Sequence, residues 1–189
     1  MAHRRRTMIT LAVWIKPVLM LLWAFGVCSG CRNQPPPPPG FERVTLGGTT
    51  YTLELALDEE SRTKGLGGRD SLPEKGGMLF VFRRPERRQF IMRDCSFDID
   101  IIFLDSNARI TAMAHMPAEP PRGADEGTPG DWDPRKAANR RYEARLKRYS
   151  SRGACQFVIE IAGGELEKLD LHVGQQIDLD TARLKALAR

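Results

Sequence analysis

Ile99-Asp100-Ile101-Ile102-Phe103-Leu104 is the segment that most restricts the fold. It is apolar at every position but Asp100 and contains three β-branched isoleucines. Alternation along a strand would leave it with no polar face, so it predicts a central strand buried on both sides. The rest of the chain has to supply cover for both. Thr50 to Leu57 alternates, with Tyr51, Leu53, Leu55 and Leu57 on one face, and predicts a half-buried strand. Shorter strands are predicted at 78–82, 89–92, 109–116, 156–161 and 176–179, with Gly- and Pro-rich turns between them. Asp58 caps a short helix, with Glu59 and Glu60 in its first turn, Arg62 and Lys64 in its last and Gly65 just past its end. The expectation is a mainly β fold: a compact sandwich or barrel of about seven short strands with one or two short helices.

The first 31 residues have the layout of an export signal. Arg4-Arg5-Arg6 is followed by an apolar run of about ten residues that ends at Cys28-Ser29-Gly30-Cys31. That run is too short to span a bilayer, which takes about 20 residues. Extending it back to Met8 buries Lys16, at a cost of roughly 3 kcal/mol. Arg5-Arg6 is also similar to a twin-arginine signal, an ordinary basic leader being the simpler reading. Ser29-Gly30-Cys31 resembles the end of a bacterial lipoprotein signal, which implies lipidation of Cys31. The position three before it is usually leucine and here is Cys28. Plain cleavage and an uncleaved anchor remain the alternatives. Residues 32–42 contain Pro35 to Pro39, which favour an extended polyproline spacer over an SH3-type ligand. The expected location is outside the cytoplasm, in the periplasm or at the outer surface, tethered to the membrane by a lipid or anchor.

Residues 43–180 form one predicted β-rich domain, and 181–189 a basic tail. Without Arg4, Arg5, Arg6 and Lys16, 25 basic residues face 24 acidic ones. The basic character belongs to the leader and gives no reason to expect a nucleic-acid partner. Segment 117–148 is an insertion: a Pro/Gly/acid loop, then a helix opened by Asp133-Pro134. Ala138, Tyr142, Leu146 and Tyr149 recur at helical spacing among Arg135, Lys136, Arg140, Arg141, Arg145, Lys147 and Arg148. This is either a solvated face or a contact for anionic lipid or an acidic envelope polymer. Cys95 and Cys155 are either buried free thiols or a disulfide, which would add up to about 4 kcal/mol.

Arg62-Thr63-Lys64-Gly65-Leu66-Gly67-Gly68-Arg69-Asp70-Ser71-Leu72-Pro73 precedes Gly77-Met78-Leu79-Phe80-Val81-Phe82. Phe90-Ile91-Met92-Arg93-Asp94-Cys95, Ile99 to Asp105, Tyr149-Ser150-Ser151, Phe157-Val158-Ile159-Glu160 and Val173-Gly174 follow. In this combination the chain resembles the family called domain of unknown function 192. The resemblance implies a β-rich domain often carried behind an export signal, and no established activity. It departs from the family pattern at Ile91 (usually tryptophan), Asp94 (usually asparagine), Cys95 (usually threonine) and Asp98 (a common proline position), and in the length of the loop before Tyr149. The motifs put forward Arg69, Met92, Asp94, Asp100, Tyr149 and Ser150 as candidate ligand-binding residues.

Asp100 is the leading candidate for chemistry, since it sits in a run buried on both faces. Its expected role is either structural, by an ion pair with Arg69 or Arg93 or by accepting backbone N–H groups, or catalytic with the same arginines. Asp98, Asp100, Asp105 and His115 lack tight metal-ligand spacing. Met78, Met92, Met113 and Met116 read as core rather than copper ligands. Ser150-Ser151 has no nucleophile frame, and no phosphate-binding glycine loop points to a nucleotide. No metal or cofactor is therefore expected. Three readings stand: a non-enzymatic envelope module that binds a ligand or partner, which the residues favour; a hydrolase or lyase using Asp100 with Arg69 or Arg93; and a structural domain docked on anionic membrane through residues 134–148.

Overall fold

The computed structural model describes residues 35–189. The predicted signal, the lipidation of Cys31 and the start of the Pro-rich linker lie outside the described residues. Alternation at 50–57 produces β2 (Thr49–Ala56), which pairs antiparallel with β1 (Phe41–Leu46). Asp58 then closes a capping box with Ser61 and starts α1 (Glu59–Lys64). The next strand runs parallel to β2, which requires a crossover connection; α1 and the Gly-rich loop supply it.

That strand, β3 (Gly76–Phe90), is 15 residues long and joins the segments predicted separately at 78–82 and 89–92. Its ladder with β6 (Tyr149–Ala162) breaks register between Val81 and Glu86, where Pro85 has no N–H to donate. β4 (Ile99–Leu104) lies between β6 and β5 (Ile110–Met116) and is buried at all six positions, as its composition requires. The result is one six-stranded mixed sheet in the order β1-β2-β3-β6-β4-β5. It is not a closed barrel. The predicted strand at 176–179 reduces to a single bridge between Arg109 and Gln176.

Strand alternation gives the sheet a core on each face. On the first face Leu79, Val81, Ile102, Leu104, Phe157, Ile159 and Ile161 pack with Tyr51 and Leu53. On the second, Met78, Phe80, Ile99, Ile101, Phe103 and Val158 pack with Leu66 and Met92. Gly77 permits the closest approach of β3 to β6, since a Cβ there would lie 2.2 Å from the Glu160 carbonyl oxygen. The insertion carries α2 (Ala137–Arg145), which starts four residues after Asp133 and buries Asn139 and Tyr142. The tail is α3 (Thr181–Leu187), capped by Asp180 and anchored in the first-face core by Leu184. Among the described residues no helix is long and apolar enough to cross a membrane.

Candidate functional site

Alternation along β4 sends Asp100 to the first face with Ile102 and Leu104. There it is 1 % exposed. His115, opposite it on β5, lies with Nδ1 2.7 Å from Oδ1, and the Leu166 N–H donates to Oδ2 at 2.6 Å. Asp98 reaches the other ring nitrogen of His115 at 3.5 Å. The predicted pairing of Asp100 with Arg69 or Arg93 does not form. Arg69 bonds Glu54 at 2.7 Å, and Arg93 bonds Glu143 at 2.6 Å and lines a groove on the second face. Asp100 is thus satisfied by a backbone N–H, as one structural reading expects, and by a histidine in place of an arginine. Asp105 is occupied in its own turn, accepting from the Asn107 and Arg109 N–H groups. Among the described residues no three metal-ligating side chains are placed to hold an ion.

The other candidate ligand residues are dispersed. Met92 is fully buried in the second-face core. Tyr149 is buried, with Lys147 over its ring and no partner for its hydroxyl among the described residues. The Ser150 Oγ accepts from the Arg152 N–H in a local turn. Asp94 belongs to a buried network that fastens the insertion to the domain. It adopts φ 51° and accepts bonds from Arg122 Nε (2.7 Å), Trp132 Nε1 (2.9 Å) and the Gly130 N–H (3.1 Å), while its own N–H donates to the Tyr142 hydroxyl. Arg122 also stacks over the Tyr142 ring at 4.0 Å. Burial pushes the Asp94 carboxyl up, but the bonds from Arg122, Gly130 and Trp132 outweigh it and hold the group below the usual carboxylate range.

A groove of about 430 Å³ opens on the second face, within the range of small-molecule sites. α1 contributes Arg62 and Lys64 to its wall. The distal half of β3 contributes Arg87, Arg88 and Phe90, and Arg93 follows. Phe80, Cys95, Ile99 and Glu160 are also part of the lining. Phe90 meets Phe80, Phe82 and Phe103 edge-on at 5.1–6.5 Å, and Arg88 stacks on Phe82 at 3.5 Å. Arg62, Arg88 and Arg93 each keep a buried Nε–H with no acceptor among the described residues. Of the residues singled out by sequence, Ile91, Arg93 and Cys95 line this groove.

Glu160 was not among them. It is 5 % exposed and faces Met78 and Ile101 across the ladders, and its carboxyl makes no hydrogen bond or ion pair with any described residue. Burial alone pushes its carboxyl up to about 8, so it carries a proton at neutral pH. The signal was present in the sequence: a lone acid in the apolar run Phe157 to Ile161, two residues from Val158 and therefore on its face. The disulfide alternative does not form; Cys95 and Cys155 are buried free thiols. Burial, with the Glu160 charge as a second cause, pushes the Cys95 thiol up to about 12, and burial raises Cys155 as well. Neither supplies a thiolate nucleophile near neutral pH.

A family profile described as DUF192, uncharacterized ACR, matches residues 42–179. No curated protein matches the sequence. A crystal structure of a protein of unknown function from Novosphingobium aromaticivorans DSM 12444 is similar at 24 % identity and TM-score 0.52, over 74 % of this chain and 85 % of that one. A protein from Sinorhizobium meliloti 1021, named as a candidate transcription regulator, is similar at 22 % identity and TM-score 0.52, over 72 % and 89 %. At these identities the two structures establish the shared fold alone.

Proposed function

Because the chain belongs to the DUF192 family, which carries no assigned activity, we propose from its own geometry that it is a non-enzymatic ligand-binding module, exported and held at the membrane by a lipid on Cys31. One observation carries the binding role: Glu160, buried and with no partner for its carboxyl among the described residues, lines an open groove rimmed by basic side chains. Its carboxyl oxygens open onto the groove, where a ligand atom can supply the hydrogen bond that the described residues do not. The hydrolase or lyase reading needs Asp100 beside Arg69 or Arg93, and those side chains do not meet. Docking through residues 134–148 has less charge to work with than its composition suggests. Arg135, Lys136, Arg141 and Arg145 are engaged by Asp133, Asp131, Asp125 and Glu126.

The tether rests on the basic leader, the short apolar run and Ser29-Gly30-Cys31, with Pro35 to Pro39 as the spacer. Intact-mass analysis of the protein from membranes tests it. A diacylated species beginning at Cys31 is expected; a chain that retains Met1 removes it. Thermal-shift screening of small acids, amides and sugars tests the binding role. A compound that stabilises the wild type should stabilise Glu160→Ala much less. Equal stabilisation of both proteins would move the site away from this groove.

A further inference from the structure

Building on that ligand-binding reading, we infer that the groove takes a small oxyanion, a carboxylate or phosphate monoester, carried on an apolar body. Three features of the site select this chemistry. The first is the balance of charge. Arg62, Lys64, Arg87, Arg88 and Arg93 line the groove with Glu59 and Glu160 as its acidic residues. Lys64 and Arg87 make no ion pair with a described residue. Arg62 and Arg88 are ion-paired only with the exposed carboxylates of Glu59 (89 % exposed) and Glu86 (61 % exposed) at 3.4 and 3.6 Å, pairs of little energy. Backbone carbonyls hold both in place, those of Leu57, Val81 and Arg189 for Arg62 and that of Arg84 for Arg88, so Lys64 and Arg87 are the charges freest to meet a ligand's oxygens. Arg93 is more firmly held, by Glu143.

The second feature is Glu160. An acid with Met78 and Ile101 as its cross-strand neighbours is held neutral by its surroundings, so it presents an O–H donor. A donor beneath a basic rim complements an oxygen that carries negative charge. A ligand cation would meet the five basic side chains first. The third is the apolar wall of Phe80, Phe90 and Ile99, which gives a hydrocarbon or aryl group a surface to cover.

The test uses the full chain in detergent and three probes of similar shape: 3-phenylpropionate, phenyl phosphate and 3-phenylpropionamide. Titration calorimetry should show at least one anion binding about tenfold or more tighter than the neutral amide. The tighter of the two anions identifies the source of the oxyanion. The double variant Lys64→Gln/Arg87→Gln, exposed at both positions and therefore expected to fold, should weaken the preferred anion about tenfold and leave the amide unchanged. Glu160→Ala should weaken that anion as well, whereas Glu160→Gln, which keeps an N–H donor, should retain most of the binding. Amide binding equal to anion binding would overturn the oxyanion inference and leave the groove reading standing. No binding by any of the three would also overturn it. Anion binding that ignores all of these substitutions would overturn both.

Discussion

Asp100 on β4 and Glu160 on β6 stand one residue apart in the same antiparallel ladder, Asp100 opposite Ile161 and Glu160 opposite Ile101. Both are nearly inaccessible. Because strand neighbours point to opposite faces, the two carboxyls enter different cores and meet different surroundings. Asp100 finds a histidine and a backbone N–H, and both of its oxygens are used. Glu160 finds methionine, isoleucine and open groove. Burial is therefore no guide to role. What separates a carboxyl that holds the fold from one available to a ligand is whether the protein itself completes its hydrogen bonds.

The comparison breaks most easily where a satisfied acid is removed. Asp94 is the strongest case, since its side chain and that of Arg122 are only 5 % and 2 % exposed. Asp94→Ala leaves a buried guanidinium without its partner and should cost about 3–5 kcal/mol in urea denaturation. A loss under about 1 kcal/mol would mean that the insertion is not fastened by this network. Asp100→Ala should come next, at about 1–2 kcal/mol, because it leaves the Leu166 N–H without its acceptor, while the half-exposed His115 ring can turn to solvent. An Asp100→Ala protein as stable as the wild type would erase the contrast with Glu160.

Much of this is legible in the amino-acid sequence. The composition of 99–104 required burial on both faces, and Asp58 with its flanking charges marked α1. The partner of Asp100 is less so. Counting outward from Asn107 in the β4–β5 turn pairs Leu104 with Ile110 but would put Ala114 opposite Asp100; a register shift between Phe103 and Leu104 brings His115 there. The attraction of opposite charge pointed to arginines instead, although those side chains lie on other elements and pair elsewhere. The Asp94 network was not legible. Arg122, Gly130 and Trp132 come from an irregular loop with no period to place them. Seen in the structure, two departures from the family pattern become one feature: aspartate in place of asparagine adds a charge, and the long insertion supplies the arginine that compensates it. The strand inventory differs from the expected one in three places: β3 crosses a register break and reads as two segments, 176–179 forms a single bridge, and β1 is not among the expected strands.

Glu160→Gln sharpens the comparison from the other side. The native carboxyl is raised from its ordinary 4.5 to about 8. Between those values the folded protein keeps a proton that the unfolded chain releases, so this group's contribution is complete below pH 4.5 and is lost as pH rises to about 8. Glutamine does not titrate. The variant should match the wild type near pH 4.5 and exceed it by up to about 5 kcal/mol at pH 9, measured by urea denaturation across that range. A constant offset at every pH would mean that Glu160 is ionised in the native groove.

The smallest effect belongs to His115. Its side chain is 49 % exposed, so solvent screens the pair with Asp100 and its contribution stays below about 1 kcal/mol. The bond to Asp100, followed by the charges of Asp100 and Asp98, raises the imidazole above its ordinary 6.5. For a raised histidine the stabilisation is complete below 6.5 and disappears as pH climbs through the raised native value. Glu160 falls in the same direction over an overlapping range, so the two must be separated by working in Glu160→Gln. In that background, Glu160→Gln minus Glu160→Gln/His115→Gln should be positive at pH 5.5 and shrink toward pH 9. A difference that grows with pH would show that Asp100 holds His115 by its neutral ring, and the first-face carboxyl would then be satisfied without any pairing of opposite charges.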